Sequence, residues 1–81
     1  MPDLRWMLTA FQRDPRDDFV GEWQVKGLSL DQLQRLFGLP SDDPMIGGFR
    51  VTKAQADALS RATGITVDLE QYDYFVEALA L

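Results

Sequence analysis

The sequence predicts an α+β domain of order β-β-α-β-α-β, a small, mostly antiparallel sheet with two helices packed on one face. Three observations predict it. Residues 19–26 (FVGEWQVK) alternate as a half-buried strand does, with Phe19, Gly21, Trp23 and Val25 on one side and Val20, Glu22, Gln24 and Lys26 on the other. Two later segments carry matching helix start and stop signals, Ser29 to Gly38 and Thr52 to Gly64. Strands and helices are mixed without the regular βαβ alternation that makes a parallel sheet. At 81 residues the chain is read as one domain, 1–81.

Each element has a local reason. Residues 4–12 (LRWMLTAFQ) are bulky and apolar and contain neither Gly nor Pro, which reads as a strand. They are apolar on both faces, so this strand is expected to lie further inside the sheet than residues 19–26. The polar turn 13–18 (RDPRDD) between the two is short, which predicts an antiparallel hairpin. Ser29 with Gln32 has capping-box spacing, and Leu28 with Leu33 forms a hydrophobic staple. Leu30, Leu33, Leu36 and Phe37 then form one apolar stripe, ended by Gly38 and Pro40. Residues 41–48 are a loop, and 49–51 a short extended piece. Thr52 caps a second helix over about 53–63, with Gln55 three residues on and Ala58, Leu59 and Ala62 inward. Residues 65–69 fit no single class. Residues 72–79 (YDYFVEAL) fit a strand or a short helix, and their aromatic and β-branched content favours the strand.

Composition narrows the function. There is no His and no Cys, which removes the usual general base, the usual thiol nucleophile and the commonest transition-metal ligands. Thirteen Asp and Glu against eight Lys and Arg leave a net charge of −5, unsuited to nucleic acid or to anionic membrane. The opening residues, Met1 to Arg5, lack a signal-peptide layout, and no apolar run approaches the roughly 20 residues of a membrane span. A soluble, cytoplasmic protein is expected. A chain this small buries only roughly 60% of its unfolded surface, so partner binding would add usefully to its stability.

The candidate chemical constellations are weak. Asp17-Asp18 and Asp42-Asp43 could in principle share a Mg²⁺ or Ca²⁺ ion, but adjacent carboxylates rarely converge, and turn-forming Asp explains them better. Gly47-Gly48 lacks the further glycines and the Lys of a phosphate loop and reads as a turn or bulge. Ser29, Ser41 and Ser60 have no His as base and no nucleophile elbow. Trp6 and Trp23 read as core or cross-strand partners, with a binding hot spot as the alternative. No catalytic, cofactor, small-molecule or metal site is therefore assigned, and the chain is expected not to be an enzyme.

The strongest candidate for a partner surface lies near the end. No Lys or Arg follows Arg61, whereas Asp68, Glu70, Asp73 and Glu77 do, flanked by Tyr72 and Phe75. Tyr is favoured at interfaces. On a strand, Tyr72, Tyr74 and Val76 would share one face and Asp73, Phe75 and Glu77 the other. The field of the four acids is expected to stand uncancelled.

Taken as a series, Gly27-Leu28-Ser29-Leu30-Asp31-Gln32-Leu33, Leu36-Phe37-Gly38-Leu39, Asp42-Asp43-Pro44-Met45, Val51-Thr52-Lys53-Ala54-Gln55-Ala56 and Tyr72-Asp73-Tyr74-Phe75 cover most of the chain. The series resembles a family of small bacterial proteins that includes immunity proteins of contact-dependent growth inhibition, a toxin–immunity system. The resemblance implies a toxin-neutralising role and no catalytic residues. Its implied partner is a cognate toxin with a basic nuclease domain of RNase or tRNase type, whose groove an acidic inhibitor would match. Two other readings stay open: a general protein-interaction or regulatory module, and, with least support, an enzyme that uses carboxylates with a metal or Tyr.

Overall fold

The computed structural model describes residues 4–13, 15–45 and 47–80. Asp14 in the first turn and Ile46 in the loop lie outside the described residues. The elements are β1 (Leu4–Gln12), β2 (Phe19–Gln24), α1 (Leu30–Leu36), β3 (Gly48–Arg50), α2 (Lys53–Thr63) and β4 (Tyr72–Ala80). The expected α+β order holds. The four strands form one antiparallel sheet in the order β2-β1-β4-β3.

β1, apolar on both sides, lies inside the sheet, and β2 is an edge, as the residue pattern requires. Its longest pairing is with β4, from Leu4↔Ala80 to Gln12↔Tyr72. The first and last strands are thus joined at the centre of the sheet. The strand reading of residues 72–79 holds for the same reason. Tyr74 and Val76 are buried against Ala10 and Leu8, a partnership that a helix there would forfeit.

The β1–β2 hairpin departs from simple alternation. Ala10 pairs with Gly21 but Phe11 pairs with Phe19, so Val20 is an extra residue in a β-bulge. Gly21, Trp23 and Val25 keep the expected side. Phe19 does not: the bulge turns it to the opposite face, where its ring lies 6.0 Å from that of Phe11. β2 also stops at Gln24, two residues short of the expected end, because the Lys26 N–H leaves the sheet to donate to the Ala62 carbonyl at 3.1 Å.

Both helices start as their caps dictate. The Gln32 N–H donates to Ser29 Oγ at 3.2 Å, and the Ser29 N–H donates to Gln32 Oε1 at 2.9 Å. In α2 the Thr52 N–H and hydroxyl both donate to Gln55 Oε1, at 2.7 and 2.8 Å. α2 ends at Gly64, whose φ of 80° is the left-handed conformation that spares a glycine the Cβ penalty. Residues 65–68 are irregular. Their path is set by the Val67 N–H on Ser60 Oγ at 3.0 Å and the Asp68 N–H on the Tyr74 hydroxyl at 3.2 Å.

The core joins one sheet face to both helices. Leu8, Ala10, Tyr74 and Val76 meet Leu33 of α1, Leu59 of α2, and Val25, Met45 and Val51 from the connections. Trp6 and Trp23 pack partly buried against this cluster, as their strand positions suggest. Two buried amides tie the layer together. Gln34 Nε2 donates to the carbonyls of Ser41 and Asp43, and Gln55 Nε2 donates to the Leu36 carbonyl at 3.3 Å. No helix among the described residues is long and apolar enough to cross a membrane.

Candidate protein-binding face

Strand alternation gives the sheet two unlike sides. The helices occupy the side of Leu8, Ala10, Tyr74 and Val76. The other side carries Met7, Thr9 and Phe11 from β1 and Asp73, Phe75 and Glu77 from β4, and neither helix among the described residues packs on it. The strand register adds Glu22 and Gln24 from β2 and Arg50 from β3.

A row of stacked groups crosses this open face. The Phe19 and Phe11 rings meet edge to face at 6.0 Å, and Phe11 and Phe75 meet the same way at 5.9 Å. Such pairs add to area burial because ring edges are positive and ring faces negative. The Arg50 guanidinium continues the row, 5.8 Å from the Phe75 centroid. The row thus runs through β2, β1, β4 and β3. Its β2 end is open: Phe19 is 60% exposed and Val20 41%. Leu79, near the other end of β4, is 49% exposed. Thr9 is nonetheless buried, and its hydroxyl has no hydrogen-bond partner.

The structure divides the six residues expected to bind a partner. Asp73, Phe75 and Glu77 share the open face. Tyr72 points to the helix side with Tyr74, their rings 6.2 Å apart. Asp68 and Glu70 sit in the turn before β4, where Asp68 Oδ1 accepts the Glu70 N–H at 3.1 Å. The acidic quarter is also less bare than its sequence. Arg50 Nη2 meets Asp73 Oδ1 at 2.9 Å, and Arg13 Nε stands 4.0 Å from the same oxygen. Arg13 Nη1 also donates to the Glu70 carbonyl at 3.1 Å. The expectation of an uncancelled field is therefore corrected at Asp73, since folding brings two arginines to it. Glu22 and Glu77 make no ion pair among the described residues.

Residue patterning alone missed Phe11, Phe19, Glu22 and Arg50 as parts of this face. The alternation of β1 groups Met7, Thr9 and Phe11, but only pairing register sets Phe75 and Arg50 beside them.

Three members of the chemical constellations, Asp43, Ser29 and Ser60, make hydrogen bonds that hold local structure. Asp43 Oδ1 accepts the Met45 N–H at 2.8 Å, a turn-forming role. Ser29 and Ser60 serve backbone N–H groups. No group of three or more acidic residues among the described residues is placed to hold a metal ion. A cavity of about 420 Å³ lies between the start of α2 and residues 66–70, lined in part by Lys53, Asp57, Asp68 and Glu70.

Residues 5–77 match the family model described as a domain of unknown function, DUF7683. No curated protein matches the chain. The match runs from β1 through most of β4 and so takes in every strand and helix described above. The chain belongs to the DUF7683 family.

Proposed function

We propose that this chain is an immunity protein, a cytoplasmic binding domain that covers the basic active-site region of a cognate bacterial nuclease toxin and has no catalysis of its own. The observation that carries the reading is the open sheet face: an aromatic row exposed at its Phe19 end, on a chain of net charge −5. Exposed apolar groups supply contact area, and the acidic field speeds the approach of a basic partner. Asp73, Phe75 and Glu77 belong to that face. Asp68 and Glu70 sit in the turn before β4, and Tyr72 begins that strand on the helix side.

The test is co-expression with the product of the gene immediately upstream, read as co-purification and as rescue of growth. A stable complex with restored growth supports the proposal. Free toxin and unrelieved growth arrest count against it.

A second reading, a general protein-interaction module, draws on one observation. Arg50 and Arg13 beside Asp73 make the face mixed in charge rather than uniformly acidic. A partner complex that forms without any effect on toxicity would favour it.

A further inference from the structure

We infer that the open sheet face receives arginine side chains of its partner, laid across β1 between Glu22 and Glu77, with the Glu22 end beside the Phe11 and Phe19 rings. The inference rests on the proposed binding role and names the chemistry of the contact. The face already holds one guanidinium. Arg50 lies over Phe75 while its Nη2 meets Asp73 at 2.9 Å, so ring face and carboxylate act on one cation together. The same two ingredients adjoin again at the Glu22 end, one pleat repeat from the Phe11–Phe19 pair. Phe11 and Phe19 supply rings, and Phe19 is 60% exposed. Glu22 and Glu77 supply carboxylates, both exposed and both without an ion pair among the described residues.

The register fixes their spacing. Glu22 is opposite Thr9, Thr9 is opposite Phe75, and Glu77 is opposite Met7. The two acids therefore stand two strands apart and one pleat repeat along, roughly 12 Å between backbones. Alternate residues of an extended peptide repeat at roughly 7 Å, so three arginines on one side of a strand span that gap. Arginine suits the site better than lysine. Its planar guanidinium stacks on a ring and bonds a carboxylate at once, and it is the more weakly hydrated cation. Charge also decides against a second copy of this chain. Two such faces would bring Glu22 and Glu77 of each toward those of the other, with Arg5 the one cation of each face that makes no ion pair among the described residues.

The experiment titrates the full, ¹⁵N-labelled chain with the peptide Ac-Arg-Ala-Arg-Ala-Arg-NH₂ and follows amide shifts. Ac-Lys-Ala-Lys-Ala-Lys-NH₂ is the comparison. The expected shifts centre on Met7, Thr9, Glu22 and Phe75. The arginine peptide should bind about threefold more tightly than the lysine peptide, the difference that stacking confers. Glu22→Gln with Glu77→Gln should weaken it about fivefold, as loss of two exposed pairs does. Both acids are solvent-facing, so that variant keeps the wild-type spectrum elsewhere. Equal affinity for the two peptides overturns the inference. So do shifts centred on Asp17-Asp18 or Asp68-Glu70, an absence of binding, or a dilution-dependent dimer that buries the same residues. The titration uses no toxin. Failure here with intact growth rescue rejects only the arginine contact, and the reverse outcome rejects only the immunity role.

Discussion

Arg50 lies over the ring of Phe75, its guanidinium carbon 5.8 Å from the ring centroid, although the two residues come from strands separated in sequence by the whole of α2. The same guanidinium holds Asp73. One side chain from a three-residue edge strand thus caps the aromatic row and neutralises the most enclosed acid on the open face. Asp73 has only 15% of its side chain exposed, against 62% for Arg50.

Replacing this cation should be measurable but mild. Arg50→Ala is expected to lower stability by about 1 kcal/mol, the scale of one half-exposed cation–π contact with one ion pair. The measurement is the urea midpoint of Arg50→Ala, Asp73→Asn and the double variant. The two losses should not add, because both residues serve one contact. Raising salt to 1 M should remove part of the difference, since exposed charges are screened there.

Gly21 leaves room for the ring of Trp23. A Cβ at position 21 would lie 3.1 and 3.2 Å from two indole carbons on the core side of β2. Gly21→Ala should cost about 1–3 kcal/mol through the shift this forces. In a Trp6→Phe background the fluorescence of Trp23 should move with it. Gly48→Ala is the control: its nearest neighbour is Glu77 Oε1 at 3.6 Å, an ordinary contact, and the change should stay within about 0.5 kcal/mol. Equal effects at the two sites would contradict the packing described.

Gln34 holds the loop between α1 and β3. Its buried amide donates to two loop carbonyls, of Ser41 and Asp43. Gln34→Leu leaves both without that donor and should cost about 1–3 kcal/mol. Amide exchange should quicken most over residues 39–45, because those carbonyls fix the loop that delivers Met45 to the core. An unchanged exchange pattern would mean that the loop is held by other contacts.

Ser29→Ala removes the side-chain half of the first capping box. The expected loss is about 1 kcal/mol, seen as a lower urea midpoint at an unchanged slope. A seven-residue helix has few other local supports, so an unchanged midpoint would show that packing of Leu33 alone fixes its start.

What the sequence determined by itself is local. Ser29 with Gln32, and Thr52 with Gln55, are three residues apart, and each pair closes within a single helical turn. α2 therefore spans the 53–63 expected of it. The two-faced apolar pattern of β1 placed it inside the sheet, and the aromatic content of residues 72–79 identified β4. Tertiary structure decided what depends on register. The bulge at Val20 moves Phe19 from the helix side to the open face, a shift that strict alternation cannot express. Asp73 reads as an isolated acid along the chain, yet Arg50 and Arg13 reach it from 23 and 60 positions away. The six residues that seemed one acidic cluster separate onto a face, a turn and the helix side for the same reason. A strand's neighbours in sequence point alternately up and down, and only its pairing partners say what stands beside each.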